Sequence, residues 1–255
     1  MNRPILAAAL LLASLAPAGS AQADPFRPSA QDQVQLGQRV AAQIRRELKV
    51  LPADDPWVKL VRRVGDRLLS TIDDGDKPWE YSLDVIDSPD INAFSLPGGP
   101  TFVYMGLLKK LTSEDELAGV LGHELTHVRK EHWSRLYAGE QKRDLVINLV
   151  LILARANNNI ASLAQIGDDV FFSLKYSRQA ESEADFGGFQ MMTGAGYNPQ
   201  GMVELFHMFE TAPGEKEPEF VSDHPSDEKR AQRIEQLAKD SGKTYPPERP
   251  IKLEH

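Results

Sequence analysis

Histidines 123 and 127 stand four residues apart in the run His123-Glu124-Leu125-Thr126-His127. On a helix that spacing turns the two rings about 40° apart on one face and separates them by about 6 Å along the axis. Two imidazoles so placed can converge on one divalent cation. Glu124 is rotated away from both, poorly placed as a ligand but within reach of a water at the ion. The chemistry this implies is metal-assisted hydrolysis, with Glu124 as general base. A catalytic zinc site also needs a third protein ligand and an open position. The extended pattern that supplies a third histidine fails, because Lys130 stands at its glycine and Trp133 at its last histidine. His132 is one residue short and is expected to point elsewhere. The chain has no cysteine, so a carboxylate is the remaining choice. Glu181 and Asp185, four apart in Ser177-Arg178-Gln179-Ala180-Glu181-Ser182-Glu183-Ala184-Asp185, share one helix side, with Glu183 turned away. One could bind the ion while the other fixes a ligating histidine. Taken alone, the same cluster is what a solvated charged face looks like.

The elements that must position these residues are legible from patterning. Ser113 with Glu116 three positions on forms a capping box, so a helix starts there and is expected to run through at least His132. Its apolar stripe is Leu117, Val120, Leu121 and Val128. Leu36, Val40, Ile44 and Leu48 mark a helix over 31–49, and Asp55-Pro56 opens a second one. Residues 79–87 alternate as a strand; 92–96 and 101–104 read as two more around the turn Pro97-Gly98-Gly99-Pro100. Helices follow over 171–192, 199–210 and 227–238, with a break at 212–218. The apolar run 145–154 is too short to span a bilayer and reads as a buried core helix, with an interfacial or partner contact as the alternative. The expectation is an α+β fold, mainly α-helical, with a small three-stranded sheet. One domain is expected over 24–255, with 241–255 as a flexible tail.

Of 255 residues, 41% are apolar and 26% charged, with a formal net charge of −8. An acidic chain without a basic stripe is a poor match to a phosphate backbone, so nucleic-acid binding is excluded. Arg3, the apolar run 5–15 and Ala21-Gln22-Ala23 have the layout of a secretory signal peptide cut after Ala23. Its removal takes one positive charge and no acid, moving the balance from −8 to −9. With no cysteine to take a lipid, the mature chain is expected in the periplasm or outside the cell, with no transmembrane segment and at most a peripheral membrane or envelope-complex contact.

The His-Glu-x-x-His run followed some fifty residues later by Ser177-Arg178-x-x-Glu181-x-x-Ala184-Asp185 resembles the gluzincin peptidases of the HtpX, BepA and CAAX prenyl protease group, peptidase family forty-eight. Leu36-Gly37, Asn92-Ala93-Phe94, Leu96-Pro97-Gly98-Gly99, Gly106-Leu107-Leu108 and His224-Pro225 with Arg230 extend the likeness over most of the mature chain. The likeness is to the compact, exported, single-domain LoiP-like kind, without a lipid anchor. The resemblance implies a zincin-like fold. It also implies that Glu181 is the third zinc ligand, that Asp185 is the acid beside it, and that strand 101–104 borders the substrate cleft. The expected activity is that of an exported zinc endopeptidase, one Zn2+ per chain, acting on unfolded or misassembled envelope and outer-membrane polypeptides. His224 and Arg230 are candidate donors to the oxyanion; His224 could instead occupy the open zinc position and hold the enzyme latent. An extended peptide would add a strand at Thr101, Phe102, Val103 and Tyr104 and hydrogen-bond Asn92. Two other classes compete: a chaperone-like binding module whose zinc turns over little, and an amidase of non-peptide substrates.

Overall fold

The computed structural model describes residues 27–138, 176–211, 220, 224 and 229–253. The signal segment 1–23 and the apolar run 145–154 lie outside them. The helices are α1 (Ala30–Glu47), α2 (Pro56–Leu69), α3 (Met105–Leu108), α4 (Glu114–Arg129), α5 (His132–Ala138), α6 (Arg178–Gly194), α7 (Gln200–Thr211) and α8 (Lys229–Asp240). The strands are β1 (Ser82–Ile86), β2 (Ala93–Ser95) and β3 (Pro100–Tyr104).

Local chemistry sets the helix starts. Ser113 accepts from the Glu116 amide while the Glu116 carboxylate accepts from Ser113, closing the expected capping box on α4. Ser29 and Asp32 close a second box on α1, and Asp55 caps α2 with Pro56 in its first turn. Each such cap is worth about 1 kcal/mol.

The sheet runs β1-β3-β2. β3 pairs parallel with β1 (Val85 opposite Val103) and antiparallel with β2 (Phe94 opposite Phe102). The turn joining β2 to β3 is made by Gly98 and Gly99, at φ 83° and 132°, angles that residues with a Cβ avoid. One face of the sheet gives Leu83, Val85, Ala93 and Val103 to the main core with α2, α4, α6 and α7. The other gives Ile86, Leu96, Phe102 and Tyr104 to a smaller core against Val40 and Ala41 of α1.

α4 is buried from Asp115 to Val128 on every side, as the central helix of a layered core must be. Glycines let its neighbours close in. A Cβ at Gly122 would lie 3.0 Å from the Gly188 Cα of α6, and one at Gly119 would lie 3.3 Å from Met202 of α7.

The helix expected to reach His132 stops at Arg129, because Glu131 takes φ 53°. This left-handed residue turns the chain before α5 begins. Its carboxylate accepts from Arg27 and from Gln33 Nε2, each at 3.0 Å, and from Lys77. The expected flexible tail is also corrected. Glu114 N donates to Arg249 O, Arg249 N donates to Asp115 Oδ2 at 2.6 Å, and Asn198 Nδ2 donates to Pro246 O. Residues 246–251 thus lie as a strap over the first turn of α4, whose exposed amides and Asp115 carboxylate need partners.

Candidate metal centre

α4 presents His123 and His127 one turn apart, their Nε2 atoms 3.0 Å from each other. Ser177 caps α6, accepting from Ala180 N at 3.2 Å, so Glu181 falls in the first turn and Asp185 one turn later. The glycine contact between α4 and α6 brings both acids against the histidines. Glu181 Oε2 lies 3.5 Å from His123 Nε2, and its Oε1 lies 3.6 Å from His127 Nε2. His224 enters from the stretch between α7 and α8, its ring stacked on Phe220 at 4.7 Å. Its Nδ1 is 3.1 Å from both His123 Nε2 and Glu181 Oε1. Four ligand atoms therefore converge, all within 4.8 Å of one another.

Atoms bound tetrahedrally at zinc–nitrogen distances would stand about 3.3 Å apart, so the cluster has the size of a zinc shell. His224 fills the fourth corner, where a catalytic site keeps its opening. Of the two roles open to it from sequence, oxyanion donor and occupant of the open position, the geometry favours the second. Glu124 lies beside the cluster. Its Oε1 is buried and accepts no hydrogen bond, with His224 Nε2 3.4 Å away.

The charges are strongly coupled. Burial raises the Glu124 carboxyl above its ordinary value, against the pull of His224 and His123, the direction a base at neutral pH requires. Burial also raises Glu181, but the imidazoles of His224 and His123 outweigh it and hold the carboxyl far below the usual range. Burial and the His123 charge keep His127 neutral. In His123 burial is overcome by the hydrogen bonds to Asp185 and Glu181, which hold the ring up at about 9. A metal entering the cluster must displace that proton.

Asp185 Oδ1 faces His123 Nδ1 at 3.0 Å, and the carboxylate takes two hydrogen bonds from Arg230, at 2.8 and 2.6 Å. Arg230 NH1 also approaches Glu181 Oε2 at 3.2 Å, and the guanidinium lies over Phe206. Arg230, a candidate oxyanion donor from sequence, is thus placed on the two acids.

Two residues dismissed at the level of pattern turn out to adjoin the site. Because the chain turns at Glu131, His132 folds back under His127, their Nδ1 atoms 2.9 Å apart. Burial pushes the His132 ring down to about 4, although Glu183 lies 3.2 Å from its Nε2. Glu183 does turn away from Glu181 and Asp185, but toward His132. Tyr176 belongs to no motif, yet its ring packs on His127 at 4.1 Å. The one signal for it is an aromatic residue immediately before the α6 cap.

The expected substrate strand is corrected. β3 (Thr101, Phe102, Val103, Tyr104) is the middle strand, paired on both sides, so it has no edge to offer. Asn92 turns its Oδ1 onto Ala93 N at 2.8 Å and shapes the entry to β2. Among the described residues the edge facing α4 belongs to β2. Tyr104 N donates to Asn92 O and Leu96 N to Pro100 O, so the backbone groups of Ala93 and Ser95 turn outward by alternation. The Ser95 amide already donates to Glu124.

The residues fit a divalent ion. Three ring nitrogens and a carboxylate oxygen crowd one point, and all four residues are buried. This donor set suits zinc. No helix among the described residues is long and apolar enough to cross a membrane.

A family model described as Peptidase family M48 matches residues 55–238. The chain is similar to the mitochondrial metalloendopeptidase OMA1 of Schizosaccharomyces pombe, 34% identical over 191 residues, covering 74% of this chain and 55% of the relative. It is similar to metalloprotease YcaL of Escherichia coli, 31% identical over 181 residues, 69% of this chain and 66% of YcaL. It also resembles the beta-barrel assembly-enhancing protease of Escherichia coli, 25% identical over 244 residues, 88% of this chain and 49% of the relative. The chain spans 55% of the yeast relative and 32% of its bovine counterpart.

Proposed function

The chain belongs to peptidase family M48, and we propose that it is a zinc-dependent endopeptidase in which His123, His127 and Glu181 hold one ion and Glu124 is the general base. The observation that carries this reading is the buried four-atom cluster with a proton-hungry, unpartnered carboxylate oxygen beside it. Bound there, zinc would supply Lewis-acid activation of water and polarise the scissile carbonyl. Glu124 takes the proton of the attacking water and delivers it to the leaving amine. Asp185, held by Arg230, keeps His123 facing the ion. The substrate lies extended along the outer edge of β2, where the carbonyls of Ala93 and Ser95 offer backbone acceptors and Glu124 is adjacent.

In the arrangement described, His224 stands where substrate water must enter, so this is a closed form. The signal-peptide layout of residues 1–23 supports a periplasmic location for a single domain over 24–255. The printed name of the beta-barrel assembly-enhancing relative supports unfolded or misassembled outer-membrane polypeptides as substrates and a quality-control role. The chaperone-like alternative rests on 145–154, outside the described residues, and nothing described favours it.

Glu124→Gln tests the mechanism. Cleavage of a denatured polypeptide should fall by roughly 10²–10⁴-fold while zinc content and melting temperature hold; undiminished cleavage removes Glu124 as base. His224→Ala should raise cleavage above the wild-type chain without loss of zinc. A fall instead would assign His224 to the reaction alone and not to closure.

A further inference from the structure

Glu183, His132 and His127 form a line running from the α6 surface into the metal cluster. Glu183 Oε2 lies 3.2 Å from His132 Nε2, and His132 Nδ1 lies 2.9 Å from His127 Nδ1. His132 has no exposed side-chain surface. Glu183 is 29% exposed and is held by Arg135 at 2.6 Å and Gln179 at 3.0 Å.

The donor and acceptor roles along this line can be worked out from one end. An ionised carboxylate only accepts, so His132 carries its proton on Nε2. A second proton on its Nδ1 would bury a cation against the His123–His127 pair with no water to solvate it, so Nδ1 is bare. A bare Nδ1 accepts, and His127 must then hold its own proton on Nδ1. That leaves the His127 Nε2 lone pair aimed at His123 Nε2 and Glu181, the centre of the cluster.

We propose that His132 is a positioning residue: a neutral imidazole relay through which Glu183 fixes the tautomer and ring angle of the metal-binding His127. Resting on His127 as a ligand, this reading deepens the proposed function. It also explains how a lone carboxylate reaches a ligand it does not touch. Asp185 does the same for His123 directly, but the space beside His127 Nδ1 is taken up by a ring whose far nitrogen reaches the carboxylate near the surface.

The test is the zinc dissociation constant of the full chain, measured by chelator competition, with nitrogen NMR of the histidine rings in metal-free protein. His132→Ala should weaken zinc binding about 10–100-fold, the usual loss when a ligand's outer partner is removed. His132→Asn should recover most of that loss, since its side-chain oxygen can accept the His127 Nδ1 proton without help from Glu183. Glu183→Ala, at the solvent end, should weaken binding in the native sequence, add nothing to His132→Asn, and broaden His127 into a mixture of tautomers. If His132→Ala does not fold, Glu183→Ala carries the test alone. The proposal is overturned if metal-free His127 is protonated on Nε2, if His132→Asn binds no better than His132→Ala, or if Glu183→Ala changes neither affinity nor tautomer. His127→Ala separates the two levels. Unchanged zinc affinity there sinks the metal site itself, whereas a large loss there with none from His132→Ala or Glu183→Ala sinks only the relay.

Discussion

His123 and His127 sit one turn apart on the same helix and are held by opposite means. The inner ring faces a carboxylate directly, Asp185, and that acid is clamped by Arg230 through two hydrogen bonds, all of it buried. The outer ring faces a neutral histidine, and its carboxylate stands half in water between Arg135 and Gln179. The difference follows from depth. A charge taken wholly out of water needs a counter-charge and several hydrogen bonds. Near the surface water screens the acid, and an uncharged ring can bridge the remaining gap without bringing a new ion into the core. Stability should therefore depend on the inner tether, while the outer one should matter mainly for metal binding.

The strongest way to break this contrast is Asp185→Ala. It strips Arg230 of its two-point partner inside the core, and the metal-free chain should lose about 3–5 kcal/mol in urea unfolding. An unchanged urea midpoint would show that the inner tether carries no more than the outer one. Gly188→Val should cost less, about 1–3 kcal/mol by thermal melting. Even a Cβ at that position lies 3.0 Å from His123 N, so the larger side chain should push α6 away from α4 and weaken zinc binding through both tethers. A normal melt with native zinc affinity would remove the glycine contact as the device that sets their common distance.

The smallest effect comes from a carboxyl remote from both tethers. Burial and the nearby acids Glu204, Asp115 and Glu116 push Glu248 up to about 7 from 4.5. Below pH 4.5 the folded and unfolded chains both carry its proton, and Glu248→Gln should be neutral. As pH rises toward 7 the folded chain holds a proton that the unfolded chain has released, and above 7 it must ionise an acid its surroundings resist. Glu248→Gln should accordingly raise the melting temperature by a few degrees at pH 8 and by nothing at pH 4. The reverse pattern would mean that the strap welcomes the charge.

What the sequence disclosed is what neighbouring residues decide among themselves. The α4 capping box, the pairing of His123 with His127 and the shared side of Glu181 and Asp185 depend only on helix geometry, and the structure brings all four side chains together. Strand order is different. That Thr101 to Tyr104 lie in the middle depends on β1 pairing beside β3 in parallel, a contact between segments that pattern alone does not couple. The position of His132 is hidden for a related reason: on a straight helix the fifth residue after His127 lies well round the cylinder. The turn that redirects it falls on Lys130-Glu131, with no glycine, proline or asparagine to mark it.

That turn has a further consequence. Glu131 holds a backbone angle few glutamates adopt, and its carboxylate is gripped by Arg27 and Gln33, at and just before the first turns of α1, and by Lys77 from the loop ahead of β1. The ring beneath His127 is therefore suspended from segments that never approach the ion. Whatever pulls on the chain at Arg27, whether a protease nick or a docking partner, tugs on a guy-rope of the zinc pocket.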